Sequence, residues 1–176
     1  MKFNQIIRLM NKSPKQLLLV LILGVISAYT LSLSQQKAQE HIIQGIVIKI
    51  IDGDTIDVLD SSQTKHRIRL YGIDAPEKSQ AYGKKAKEFL ASLIAGKEVK
   101  VISKGKDRYQ RSIALILFND KDINSAMVAN GYAHAYTEYS KDYIIQEADA
   151  KSFKLGLWAD DKVIKPSEFR KKKIKE

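Results

Sequence analysis

Three acids and two arginines carry the chemistry that this sequence can offer. Asp54 closes the turn Asp52-Gly53-Asp54, and Asp74 and Glu77 share a loop with Pro76 between them. Arg69 lies five residues before Asp74, and Arg111 opens the apolar run of residues 112–118. Carboxylates are hard oxygen donors, suited to Ca²⁺ or Mg²⁺ and not to a thiophilic metal. A guanidinium fork bonds phosphate oxygens in pairs and keeps its charge at any relevant pH. Acids for a dication and forks for a phosphate suit a phosphodiester, whose transition state gains negative charge. Taken singly, each residue also fits a plainer role, as a turn former, a solvated acid or a surface arginine. The chemistry requires that they meet.

The elements that must bring them together follow from periodicity. Residues 42–51 are rich in β-branched side chains and read as a strand. Asp52-Gly53 is a hairpin signal, and residues 55–60 and 65–71 alternate polar and apolar as half-buried strands do. In the third of these strands Ile68 and Leu70 face one way with His66, and Arg67 and Arg69 face the other. A meander of this kind places the turn after strand one and the loop after strand three at the same end of the sheet. Helical spacing predicts a helix over 80–95, with Gly96 at its C-terminal cap. Further strands fall at 98–102 and 112–118, joined by the polar stretch 104–110. Shorter helices follow at 122–130 and 142–155. Five strands with a helix between the third and fourth is the order of an OB-fold barrel, so the fold class is α+β with about three helices.

Three ordered strings narrow the function. Asp52-Gly53-Asp54-Thr55, Arg69-Leu70-Tyr71-Gly72-Ile73-Asp74-Ala75-Pro76-Glu77 and Asp107-Arg108-Tyr109-Gln110-Arg111 resemble the staphylococcal nuclease (thermonuclease) homologues in order and spacing. Gly131-Tyr132-Ala133, Gly156-Leu157-Trp158-Ala159-Asp160 and Pro166 to Arg170 look like that family's later motifs. The resemblance covers about residues 42–170. It implies a calcium-dependent nuclease that cuts DNA and RNA with little sequence preference and leaves 3′-phosphate ends. By position it implies Asp54 and Asp74 as side-chain ligands of Ca²⁺ and Ala75 as a backbone-carbonyl ligand. Arg69 and Arg111 would hold the scissile phosphate, Glu77 would activate the water, and Tyr109 and Tyr136 are candidate substrate contacts. The loop from Glu77 to Tyr82 is shorter than in the best-known member. No histidine lies in the three strings. His66 reads as structural, and His134 has no assigned role.

Composition sets outer limits. The chain has 176 residues, 44% hydrophobic and 28% charged, with no cysteine. That excludes disulfides, thiolate metal sites and a cysteine nucleophile. The net charge of +10 sits mostly at the ends, +4 in residues 1–40 and +4 in residues 170–176, leaving about +2 for residues 41–169. The C-terminal run reads as a basic, solvated tail. No charge occurs from Gln16 to Gln36, and Lys2, Arg8, Lys12 and Lys15 precede that apolar window. Positive residues before an apolar segment direct the following chain across a membrane. Residues 1–40 therefore read as a signal or uncleaved anchor with a linker over 34–41, ahead of a nuclease-like domain over 41–169. The protein is expected to be exported, either anchored or released, and monomeric. Two other readings use the same residues: an OB module that binds nucleic acid without cutting, and a hydrolase of another phosphodiester such as a signalling nucleotide.

Overall fold

The computed structural model describes residues 14–37, 42–107, 109–160 and 162–173. Two compact units divide the chain, Met1–Glu40 and His41–Glu176. In the first, helix α1 spans Pro14–Lys37. It runs through Ser34–Lys37, which the sequence presents as linker, because nothing there breaks a helix and Gln and Lys favour one. Its side chains from Leu18 to Leu23, with Val25 and Ile26, are exposed. Among the described residues no helix is long and apolar enough to cross a membrane. Lys2, Arg8 and Lys12, linker residues 38–41, Arg108 of the third motif and the last three residues of the basic run lie outside the described residues.

The second unit is the expected five-stranded barrel. Strands β1 (Ile42–Ile50), β2 (Thr55–Asp60) and β3 (Lys65–Leu70) form the antiparallel meander. Strand β5 (Glu98–Lys106) pairs with β1, and β6 (Ser112–Phe118) pairs with β5. A parallel pairing of β3 with β6, Ile68 opposite Ser112 and Leu70 opposite Ala114, closes the barrel. The inward row Ile56, Val58, Ile68, Leu70 and Ile116 is buried. Each such side chain contributes roughly 1.5–3 kcal/mol by leaving water.

Two short pairs lie beyond the reach of periodicity. Strand β4 (Ile73–Asp74) pairs with β8 (His134–Ala135), so Asp74 stands opposite His134. Strand β7 (Lys121–Asp122) pairs with the end of β6. Strand β5 continues four residues past its expected end, through a bulge between Ser103 and Gly105 after which Gly105 and Lys106 return to the ladder.

Helix α2 (Gly83–Ile94) buries Ala86, Leu90 and Ile94 against the barrel, spaced four apart on one face. It starts three residues later than expected because residues 77–83 turn tightly, with Gln80 donating to Glu77 O and Gly83 to Gln80 O. A Cβ at Gly83 would run into the carbonyl oxygen of Glu77, so this loop needs glycine for space. Helix α3 (Ile123–Ala129) is capped by Asp122, which accepts from Ser125 N. Its Asn124, fully buried, donates to Tyr71 O and Ala114 O and accepts from Ile116 N, stapling the seam where β3 meets β6. Helix α4 spans Ile144–Ser152, shorter at both ends than the periodicity suggests. A single 3₁₀ turn, Gly156–Ala159, and a further helix α5, Pro166–Lys173, complete the unit.

Candidate active site

The loop between β1 and β2 delivers Asp54. Asp52 accepts from Asp54 N at 3.0 Å, and Leu70 N donates to Asp54 O at 2.8 Å, fixing that loop to the end of β3. Gly53 permits the approach of the next loop: an added Cβ would lie 2.7 Å from the Ala75 Cβ and 2.8 Å from the Ala86 Cβ. The Asp54 carboxylate then reaches three ways. Its Oδ1 accepts from Thr55 Oγ1 at 3.0 Å and from Arg69 Nη1 at 2.7 Å, and its Oδ2 accepts from Ala75 N at 3.0 Å.

Arg69 joins that acid to the next. Its Nη2 donates to Asp74 Oδ1 at 2.9 Å and to the Ile73 carbonyl at 3.4 Å. Asp54 and Asp74 are both buried, 4% and 3% exposed. Carboxylates so placed persist only with a positive partner and hydrogen bonds. Burial works against the Arg69 charge, but Asp54 and Asp74 outweigh it and hold the guanidinium protonated more firmly than usual. Asp52 lies in the same crowd. Burial, and after it the Asp54 charge, pushes its carboxyl up to about 6.

Asp74 is shared with a third party. Arg170, on α5, gives Nη2 to Asp74 Oδ2 at 3.0 Å and Nη1 to Asp74 Oδ1 at 3.2 Å and Glu77 Oε1 at 2.7 Å. Asp54, Arg69, Asp74, Arg170 and Glu77 thus form one alternating chain of charge. Burial again opposes the Arg170 charge, and the bonds to Asp74 and Glu77 more than offset it, raising its affinity for the proton. Glu77 is placed by Gln80, whose Oε1 accepts from Glu77 N at 3.2 Å while its Nε2 donates to Ile164 O at 2.6 Å.

Arg111 and Tyr109 form a separate group. Asp107 accepts from Tyr109 N and Arg111 N through Oδ1 and from Arg111 Nε through Oδ2 at 2.7 Å. Burial raises the Asp107 carboxyl pKa, but the Arg111 bonds win and hold it below the usual range. The Arg111 guanidinium lies 5.6 Å from the centre of the Tyr109 ring. Ile113, two residues on, is the register partner of Arg69. By strand alternation Arg111 therefore continues the row on the Arg69 face of the wall, though it shares no ion pair with the acids. Tyr136 is on the acid side. Its N donates to Gly72 O, and it lines a cavity of about 80 Å³ with Asp74, His134, Glu147, Lys151 and Lys165. Burial, and next the Asp74 charge, raises the Tyr136 pKa.

The donors suit a hard dication. Asp54, from the β1–β2 loop, and Asp74, from β4, offer carboxylate oxygens, and Ala75, its N bound to Asp54, belongs to the same junction. All are oxygens, as Ca²⁺ prefers. Among the described residues no three acid or histidine side chains stand together as a metal cluster. Guanidinium groups lie between the acids, and Glu77 stands on the far side of Arg170.

Three contributors were not read from the sequence. Arg170 heads a run that presents itself as a solvated tail, yet its side chain is bound to two acids; the only signal was its place in the Pro166–Arg170 string. Gln80 and the anchoring part of Asp107 depend on contacts that spacing does not reveal. His134, also unassigned, is buried with its Nδ1 3.5 Å from Glu147 Oε1 and its ring edge-on to Trp158. His66 is structural as expected, pairing with Asp60 at 2.6 Å.

Known proteins share this arrangement of sequence. The family model described as staphylococcal nuclease homologue matches residues 67–160. A Haemophilus influenzae protein described as an uncharacterized endonuclease is 45% identical over 127 residues, 71% of each chain. An Escherichia coli O157:H7 protein of the same description is 40% identical over 134 residues, 74% of this chain and 87% of its own. The micrococcal nuclease of Shigella flexneri is 40% identical over 141 residues, 73% of this chain and 80% of its own. The chain belongs to the family of staphylococcal nuclease homologues.

Proposed function

We propose that the nuclease activity of this chain is calcium-dependent and falls on DNA and RNA alike, with little sequence preference. The observation that carries this reading is the clasp of Asp54 and Asp74 around Arg69, with Glu77 one guanidinium away. Asp54, Asp74 and the Ala75 carbonyl would hold the ion. When bound, calcium would supply Lewis-acid charge to a phosphate oxygen. Arg69 and Arg111 hold the negative charge that grows on the phosphate, Arg69 from the barrel wall beside both acids. Glu77 takes the proton of the attacking water. The new bond joins that water oxygen to phosphorus, the P–O5′ bond breaks, the leaving 5′ oxygen takes a proton from solvent, and a 3′-phosphate end remains. Tyr136, which lines the cavity beside Asp74, and Tyr109, beside Arg111, would touch the substrate.

Digestion of single-stranded DNA, RNA and a cyclic dinucleotide by the full chain, in calcium and then in chelator, tests this. Cutting of both polymers in calcium alone is expected, with Glu77→Gln slower by about 10²–10⁴-fold, the usual contribution of a general base. Cutting that persists in chelator refutes the calcium reading, and preference for the cyclic dinucleotide refutes the polymer reading. Export is the second part of the proposal. Lys2, Arg8, Lys12 and Lys15 ahead of the uncharged window support it, and fractionation of cells that express the full chain checks it.

A further inference from the structure

Two guanidinium groups share Asp74, and they are anchored differently. Arg69 belongs to the barrel wall, on β3, with its side chain 16% exposed. Arg170 comes from the opposite end of the chain, and its side chain is 37% exposed. Its bonds occupy both Asp74 oxygens and one of Glu77. Those are the oxygens that a dication beside Asp54 and a water at Glu77 would need. A guanidinium and a divalent ion a few ångströms apart repel strongly at the screening of a protein surface.

Among the described residues no other hydrogen bond or ion pair ties α5 to the barrel. Eight residues do not make a helix that is stable alone. Pro166 is buried, Phe169 half-buried, and the bond from Gln80 to Ile164 O ties the approach. Beneath the segment lies a cavity of about 140 Å³ whose lining includes Pro76, Tyr82, Ile164 and Phe169. Phe169 lines that cavity and keeps part of its surface uncovered, so its packing against the barrel is incomplete.

We propose that Arg170 is an internal counter-cation for Asp74 and Glu77, that it competes with the divalent ion, and that α5 is a strap released when the ion binds. This rests on the reading of Asp54 and Asp74 as the metal-side acids. Linkage makes the effect reciprocal: an ion that loosens the strap must bind more tightly when the strap is weakened.

Calcium binding to the full chain, measured by titration calorimetry, is compared with that of Arg170→Met and Arg170→Gln. Amide hydrogen exchange over residues 166–173 is followed in the unaltered chain with calcium and with chelator. Expected are an affinity gain of about tenfold or more in both variants, and faster exchange in 166–173 on adding calcium while the barrel strands stay protected. Equal or weaker affinity in the variants overturns the competition, and so does unchanged or slower exchange of the strap in calcium. If a variant fails to fold, the exchange measurement alone decides. Absence of calcium binding in all three chains removes the metal reading together with the strap. Binding by the unaltered chain without a gain in the variants removes only the strap.

Discussion

Arg69 and Arg111 have the same expected task and opposite supports. Arg69 is held by acids from the β1–β2 loop and from strand β4, fifteen residues before it and five after it. Arg111 is paired with Asp107, four residues away in its own turn, and lies over the ring of Tyr109 in that same turn, with the side chain 34% exposed. One arginine is therefore part of what keeps the barrel end folded, and the other is carried on a self-contained loop. A residue can be fixed for catalysis by tertiary or by local contacts, but only the first kind ties activity to stability.

Removing each arginine is the strongest way to break that contrast. Arg69→Gln leaves Asp54 and Asp74 buried without their shared cation. Breaking a buried pair costs about 3–5 kcal/mol, and loss of a preorganised phosphate donor costs about 10²–10³-fold in turnover. Arg111→Gln is expected to lose turnover on the same scale and under about 1 kcal/mol of stability, since its pair is part exposed. Thermal melting in chelator and initial rates in calcium measure the two. Equal stability losses would mean that the local loop is as integral as the barrel junction. Added calcium is expected to restore much of the Arg69→Gln stability, because an ion that binds only the folded chain stabilises it.

How far these supports were legible in the sequence follows the same division. Alternation in 65–70 put Arg67 and Arg69 on one face and Ile68 and Leu70 in the core, and the register bears this out. The meander order put Asp54 and Asp74 at one end, where Arg69 now joins them. Periodicity fails where elements are too short to repeat, as in β4 and β8, two residues each. It fails too where polar residues stay on a ladder, as Ser103 and Lys106 do on β5. Arg170 was hidden for another reason. A run of lysines and arginines has no period and no visible partner, and its acids lie 93 and 96 residues back in the chain.

A smaller test sharpens the local side. In Asp107→Asn the side-chain oxygen can still accept from the two backbone N–H groups, but the charge that orients Arg111 Nε is gone. The amide nitrogen that then faces Arg111 Nε can only donate, so that charge-assisted hydrogen bond is lost. Turnover is expected to fall about tenfold, against the larger loss for Arg111→Gln, with stability within about 1 kcal/mol of the unaltered chain. Unchanged turnover would show that the strand start alone orients Arg111, and that Asp107 serves only the turn.

Glu147 combines both kinds of support and offers the gentlest probe. It accepts from Lys151 at 2.7 Å, four residues on in α4, and across the fold from Ala135 N at 3.2 Å, with His134 Nδ1 3.5 Å away. Burial raises its carboxyl pKa, but His134 and Lys151 together outweigh burial and hold it down at about 2, below an ordinary value of 4.5. The unfolded chain then binds the proton more readily than the folded one, so acid favours unfolding. The stabilisation is present in full above about pH 4.5 and drains away as the pH falls towards 2. Denaturant melts across that window are expected to show the unaltered chain converging on Glu147→Gln. In Lys151→Met only part of the window should be lost, because the tertiary partners remain. If Lys151→Met and Glu147→Gln gave the same acid profile, the local partner alone would set the Glu147 charge, and the barrel side of the contact would contribute packing without electrostatics.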